Sequence, residues 1–184
     1  MNVLVTGANG FIGKNLVVRL NELDINTEAY TRENSAHNFP DLLKKIDFVV
    51  HLAGENRPED EDDFELVNSG LTSLICDEIR LIEKDIPIIL ASSTQAEHDN
   101  LYGKSKLGAE IAIKNLANDT GNSAYTYRLP GVFGKWCKPN YNSVVATFCH
   151  NISHNLPIQV NDPSFELSLV YIDDVVEEFV KIIQ

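Results

Sequence analysis

Val3-Leu4-Val5-Thr6-Gly7-Ala8-Asn9-Gly10-Phe11-Ile12-Gly13 sets an apolar run directly before three glycines spaced three apart. An amphipathic stretch follows at once, so the segment reads as a strand, a turn and a helix start. That order has a physical use. Gly7 permits the tight turn, Gly10 lets backbone approach a pyrophosphate, and Gly13 lets helix and sheet pack closely. The free N–H groups of the helix start then face the phosphates. The turn residues Thr6, Gly7, Asn9, Gly10, Phe11, Ile12 and Gly13 are therefore expected to contact a dinucleotide. The spacing is Gly-x-x-Gly-x-x-Gly, not the Gly-x-Gly-x-x-Gly of the two-domain dehydrogenases.

Outward from this entrance, short apolar runs alternate with longer amphipathic ones. Strands are expected at 3–6, 27–30, 48–52, 87–91, 123–128 and 167–172, and helices at 11–23, 64–84, 101–118, 143–155 and 173–183. Such alternation predicts repeated βαβ units. The expected fold is α/β, a Rossmann-type doubly wound parallel sheet flanked by helices. In the helix over 64–84, Leu71, Leu74, Ile75, Ile79 and Ile82 recur at helical spacing and predict its buried face. The acidic run 59–63 ahead of it suits the partial positive charge of a helix start, where carboxylates can cap free N–H groups.

The 184 residues fit one domain, with 130–184 expected to supply a small substrate-side lobe. The formal net charge of -12 repels phosphate backbones and anionic lipid, which argues against nucleic-acid or membrane partners. An anionic ligand must then be held by local cations. Cys76, Cys137 and Cys149 are odd in number and far apart, suggesting neither disulfides nor a metal site. No basic leader with a long apolar region precedes Val3, and no apolar run reaches a membrane-spanning length. A cytoplasmic protein is expected.

The end of the second strand bears on which dinucleotide binds. A carboxylate there suits the ribose 2′-hydroxyl of NAD(H), whereas an arginine suits the 2′-phosphate of NADP(H). The strand runs into Tyr30-Thr31-Arg32. Arg32 offers a rigid, permanently charged fork, so NADP(H) is favoured over NAD(H).

The chemistry is expected at Tyr102-Gly103-Lys104-Ser105-Lys106. Tyr102 and Lys106 are four apart and share a helix face. A nearby ammonium stabilises phenolate and is expected to lower the Tyr102 pKa, while Lys106 also holds the nicotinamide ribose. A third group must polarise a carbonyl where negative charge develops. Ser93 is chosen for this at the strand's C-terminal edge, with Ser92 and Thr94 as neighbouring candidates.

These residues carry a resemblance. Thr-Gly-x-x-Gly-x-x-Gly, His51-Leu52-Ala53-Gly54, Asn68, Ala91-Ser92-Ser93 and Tyr102-x-x-x-Lys106 resemble the extended short-chain dehydrogenase/reductase family. The resemblance implies that Leu52, Ala53 and Gly54 line the cofactor with backbone, that Ala91 and Ser92 lie beside it, and that Asn68 supports the site. Arg128-Leu129-Pro130-Gly131-Val132-Phe133-Gly134 is similar to the family's Arg-x-x-Asn-x-Tyr-Gly segment, with Gly131 in place of the asparagine.

Asn56-Arg57-Pro58, Lys135-Trp136-Cys137-Lys138-Pro139-Asn140-Tyr141-Asn142-Ser143 and Ile158-Gln159-Val160-Asn161-Asp162 further resemble bacterial bifunctional capsule-synthesis reductases. That resemblance implies NADPH-dependent reduction of the C4 ketone of a UDP-linked 4-keto-6-deoxy HexNAc sugar. It also implies a further cupin domain and the end of the reductase lobe, neither of which follows Gln184. Lys135 and Lys138 would meet the diphosphate and Trp136 and Tyr141 the uracil; Arg57, Lys138, Asn142 and Ser143 are the expected substrate contacts. His51 is expected simply to pack at a strand end. Two other readings remain at this point: an epimerase that retains NAD, and a non-catalytic NADP-binding module. Helices 64–84 and 101–118 are expected to pair in a homodimer.

Overall fold

In a computed structural model of the chain, which describes residues 1–31, 39–82 and 84–184, β1 (Asn2–Thr6), β2 (Asn26–Tyr30), β3 (Phe48–His51), β4 (Ile88–Ser93) and β5 (Ala124–Leu129) form one parallel sheet in the order 2-1-3-4-5. β1 pairs with β2 on one side and β3 on the other, so strand order reverses there. In open α/β sheets ligands bind outside the strand carboxyl ends at that reversal.

β1 shows why the sheet is covered twice. Val3, Leu4 and Val5 are apolar in succession, and all are fully buried, as a strand packed on both faces requires. Val3 and Val5 face one core with Leu16 and Leu20 of α1 (Phe11–Glu22). Leu4 faces a second core with Phe39 and Leu43 of α2 (Phe39–Leu43) and Ile75, Cys76 and Ile79 of α3 (Leu71–Ile82). Ala109, Ile113 and Leu116 of α4 (Leu101–Thr120) complete that second core.

The expected single helix over 64–84 divides. Phe64–Gly70 is a π-helical turn, and α3 begins at Leu71. The buried stripe of α3 is Thr72, Ile75, Cys76 and Ile79, while Leu74 is exposed. The stripe is centred on the 72/76 side, which turns Leu74 outward. The expected acidic cap also differs. Asp63 is itself helical and makes no side-chain cap, because from that conformation its carboxylate cannot reach back to the first free N–H groups. Asp60 instead accepts the N–H of Asp62 at 3.1 Å. α4 is capped as sequence chemistry prescribes: Asn100 Oδ1 accepts the Gly103 N–H at 2.7 Å, and Gly121 ends the helix at φ +78°.

After β5 the chain makes a thin lobe: β6 (Gly131–Phe133) pairs in parallel with β7 (Leu169–Tyr171), and α5 (Val144–Ser153) has no fully buried residue. α6 (Ile172–Ile183) then returns to the sheet. Ile172, Val175, Val176, Phe179, Val180 and Ile183 are buried against the α1 side of the core. Each such side chain contributes roughly 1.5–3 kcal/mol when fully buried. The 130–184 stretch is thus divided, with its last helix in the dinucleotide-type layer.

Candidate active site

The glycine turn takes the shape its spacing predicts. Gly7 has φ +67°, and a Cβ there would stand 2.8 Å from the backbone nitrogen of Ala53. A Cβ on Gly13 would run into the Gly7 carbonyl and Ala8. Gly10, in contrast, is exposed and would meet only Gly7 O, at 3.1 Å. No side chain caps the start of α1 at Gly10. Among the described residues the turn therefore offers an open cradle before a helix N-terminus, which fits a pyrophosphate. Arg32 lies outside the described residues.

Across the strand reversal, Thr6 Oγ1 accepts the N–H groups of Leu52 and Ala53, each at 3.1 Å. Gly54 leaves room for its neighbours: a Cβ there would stand 2.8 Å from Asn68 Oδ1 and 3.2 Å from Lys106 Nζ. Asn68, on the π-helical turn, accepts the Glu55 N–H and donates to Glu55 O and to Ser105 Oγ, all at 2.9 Å. Ser105 Oγ donates to the Tyr102 carbonyl at 2.8 Å.

α4 brings Tyr102 and Lys106 to this edge. Gly103 is required by the approach, since a Cβ would press on the carbonyls of Gln95 and His98 in the 3-10 turn Thr94–Glu97. Ser93 caps that turn, accepting the Gln95 N–H at 3.1 Å, and its side chain lies near enough to the Tyr102 phenol to favour the phenolate. Ser92 is differently placed. Its hydroxyl donates to Glu110 Oε1 at 2.5 Å. Thr94 is exposed. The geometry thus groups Ser93, not Ser92, with Tyr102.

Lys106 is buried, and its Nζ donates to Ala91 O at 3.0 Å. Burial pulls the ammonium down to about 8, with Glu110 acting the other way from one helical turn along. The expected lowering of Tyr102 is not what the structure shows. Burial pushes the phenol above its ordinary value, and Ser93 works against that shift. The reason is geometric, since Lys106 Nζ is turned to the Ala91 carbonyl beneath Gly54. Burial also raises the Glu110 carboxyl, but Arg128 and Ser92 outweigh it and hold it low. Arg128 grips Glu110 with Nε at 2.9 Å and Nη2 at 2.7 Å, and reaches Glu97 at 2.7 Å. The arginine of the Arg-x-x-x-x-x-Gly segment is therefore committed within the protein.

The two loops singled out for substrate meet. Tyr141 Oη donates to Asn56 Oδ1 at 2.9 Å, Arg57 lies 5.6 Å from the Tyr141 ring centre, and Lys138 Nζ lies 5.4 Å from it. Asn142 is exposed beside them, and Ser143 caps α5 by accepting the Ala146 N–H at 3.3 Å. Trp136 is 57% exposed, so it does not anchor the loop by packing. Lys135 departs from the group and pairs with Asp173 at 3.0 Å. Gly131, where the family segment has asparagine, donates its N–H to Ser168 O at 3.1 Å and would set a Cβ 2.9 Å from Leu169.

The family model for "NAD dependent epimerase/dehydratase family" matches residues 3–184. The chain belongs to that family. Within it, a Pseudomonas aeruginosa protein named UDP-2-acetamido-2,6-beta-L-arabino-hexul-4-ose reductase is 52% identical over 183 residues, 99% of this chain and 49% of that protein. The crystal structure of the capsular polysaccharide assembling protein CapF from Staphylococcus aureus matches at TM-score 0.88 and 46% identity, over 100% of this chain and 50% of that one. At 20% identity, UDP-glucose 4-epimerase from Thermotoga maritima with UDP-glucose shares the fold, with TM-score 0.86 over 100% of this chain and 74% of that chain. This epimerase/dehydratase chain spans about half the length of the first two relatives.

The sequence pattern alone assigns no role to Ser105 or Glu110 and reads His51 as simple packing. Glu110 was findable, because it stands one helical turn beyond Lys106 with opposite charge. Ser105 carried no such signal.

Proposed function

We infer that the chain is the reductase unit of a nucleotide-sugar enzyme, reducing the C4 ketone of a UDP-linked 4-keto-6-deoxy HexNAc with NADPH in the cytoplasm. One observation carries this reading: Ser93 and Tyr102 meet at the carboxyl edge of β4, with Lys106 one helical turn behind and the glycine cradle across the strand reversal. The 52% identity to a protein named as a hexul-4-ose reductase supplies the substrate class. The preference for NADPH over NADH rests on Arg32 following Tyr30-Thr31.

A bound nicotinamide dinucleotide supplies a hydride. The chain's own residues do the rest. Ser93 donates a hydrogen bond to the ketone oxygen, where negative charge develops. Tyr102 donates its proton to the same oxygen. A phenol raised by burial is fully protonated at neutral pH, the state a donor must start from. Lys106, still charged below about 8, holds the nicotinamide ribose, and Ser93 is the group that favours the phenolate left behind. Arg57, Lys138 and Tyr141 meet the UDP group with cations and an aromatic face.

A homodimer belongs to the same reading. Leu74 and Leu81 on α3 and Leu107 and Ile111 on α4 are exposed on the outer faces of neighbouring helices, which suits pairing across a two-fold axis. Among the described residues no helix is long and apolar enough to cross a membrane.

The deciding experiment titrates the protein with NADPH and NADH, then adds the UDP-4-keto sugar. Stoichiometric NADPH oxidation with reduced sugar is expected, from a species of dimer mass. NAD retained through purification without net oxidation would instead mark an epimerase, and NADPH binding without turnover a non-catalytic module.

A further inference from the structure

The polar groups buried behind the candidate site form one hydrogen-bond chain, and His51 is at its centre. Thr72 has a single hydroxyl proton and donates it to the Asn68 carbonyl at 2.6 Å. Toward His51 Nε2, 2.9 Å away, the Thr72 oxygen can only accept. His51 must then carry its proton on Nε2. Burial keeps the ring neutral, helped by the Lys106 charge, with a pKa pulled down to about 3. Nδ1 is left as an acceptor, and Thr6 Oγ1 donates to it at 2.7 Å. With its proton placed there, Thr6 Oγ1 is free to accept Leu52 N–H and Ala53 N–H. The opposite tautomer would set the Nδ1 proton and two backbone N–H groups against one oxygen that still had its own proton to place. On the far side the chain continues through Asn68 and Ser105 to the Tyr102 carbonyl.

We propose that His51 is a positioning residue whose single Nε2–H tautomer ties the dinucleotide-side turn after β1 to the helix that carries Tyr102. One ring nitrogen serves each half. Nδ1 fixes Thr6, and with it the Leu52–Ala53 backbone that packs on Gly7. Nε2 fixes Thr72, and with it the carbonyl of Asn68, whose side chain holds Ser105 and the first turn of α4. The proposal deepens the functional reading above, because it assumes that the turn binds dinucleotide and that Tyr102 donates the proton.

The two halves are separable. His51→Asn puts an amide oxygen where Nδ1 stands, keeping the acceptor for Thr6 and losing Thr72. His51→Gln puts an amide N–H where Nε2 stands, keeping Thr72 and losing Thr6. Two readouts that need no turnover follow them: the NADPH dissociation constant, and the resonance of a 13Cζ-labelled Tyr102. We expect His51→Gln to weaken NADPH by roughly tenfold with the Tyr102 resonance in place, as loss of a buried acceptor should. His51→Asn is expected to shift the Tyr102 resonance and leave NADPH affinity within about threefold. Thr72→Val leaves the ring untouched and should behave as His51→Asn does, which covers the case in which a ring substitution fails to fold. In the unmodified protein, 15N spectra should show His51 Nδ1 unprotonated and Nε2 protonated across neutral pH. An Nδ1–H or doubly protonated ring would overturn the proposal, as would variants that move both readouts together or neither. If the unmodified protein bound no dinucleotide, the functional reading would fall, while the tautomer and the Tyr102 resonance would still decide the role of His51.

Discussion

Thr6, His51, Asn68 and Lys106 are sealed beneath the carboxyl ends of β1, β3 and β4, whereas Arg57, Lys138 and Tyr141 meet in solvent, at the proposed mouth of the site. In the first region each named side chain is at most 7% exposed and its partners are other protein atoms. In the second, Tyr141 is 39% exposed and Trp136 57%, and the Tyr141–Asn56 hydrogen bond joins the two loops. The difference sets the energy scale of each. Buried polar groups interact in a low dielectric and are costly to leave unpaired, so the proposed dinucleotide side is preset by the protein's own contacts. Exposed cation–π contacts are worth roughly 0.5–1 kcal/mol, so the proposed sugar-nucleotide side is expected to gain its order on binding.

If that contrast holds, substitutions should hurt most where burial is deepest. Tyr102→Phe removes the proposed proton donor but retains the ring whose centre lies 5.8 Å from that of Phe64. Turnover should fall by roughly 10²–10⁴-fold, the usual share of a general acid. Single-turnover NADPH oxidation measures it, with NADPH affinity unchanged; oxidation at the original rate would remove Tyr102 from the chemistry. Gly103→Ala comes next. Alanine gains up to about 1 kcal/mol of helix propensity over glycine, yet its Cβ would press on two backbone carbonyls that cannot swing aside. Overpacking of that kind costs roughly 1–3 kcal/mol, so a net loss of thermal stability is expected. A raised melting temperature would show that the 3-10 turn yields.

How far these two regions were legible in the sequence differs for the same reason. The glycine turn, the sheet and the Tyr102–Lys106 face could be read because each is local: a spacing, a period, one helical turn. Ser93 could be placed at a strand edge, but only the 3-10 turn it caps brings it, rather than Ser92, against Tyr102. The π-helical turn could not be read, since Phe64–Gly70 continues the helical pattern of α3 while shifting Asn68 into the interior. Nor could His51 be read as more than packing. Its role depends on Thr6 and Thr72, which lie 45 and 21 residues away in the chain. Proximity in sequence groups Lys135 with Lys138, yet the fold pairs Lys135 with Asp173, 38 residues away in the chain.

A pH titration sharpens the buried side further. Lys106 is pulled below its ordinary value by burial, so the ammonium is present below about 8 and lost as pH rises through it. NADPH affinity should accordingly weaken above that pH, by up to roughly tenfold for each unit. Lys106→Met should flatten the profile. Glu110→Gln should move the inflection lower, since Glu110 opposes the effect of burial. An inflection that stayed in place in Glu110→Gln would separate the two side chains energetically.

The smallest effect is expected at the mouth. Tyr141→Phe keeps the ring under Arg57 and Lys138 but deletes the hydrogen bond to Asn56 Oδ1. An exposed neutral hydrogen bond contributes about 0.5–1.5 kcal/mol, and water can replace it at Asn56, so the low end of that range applies. UDP affinity, measured by calorimetry, should fall no more than about threefold, with melting temperature and NADPH affinity unchanged. A loss as large as that of a buried substitution would mean that the loops are locked together before substrate arrives. The mouth would then be as preset as the interior, and the contrast between the two regions would fail at its weakest joint.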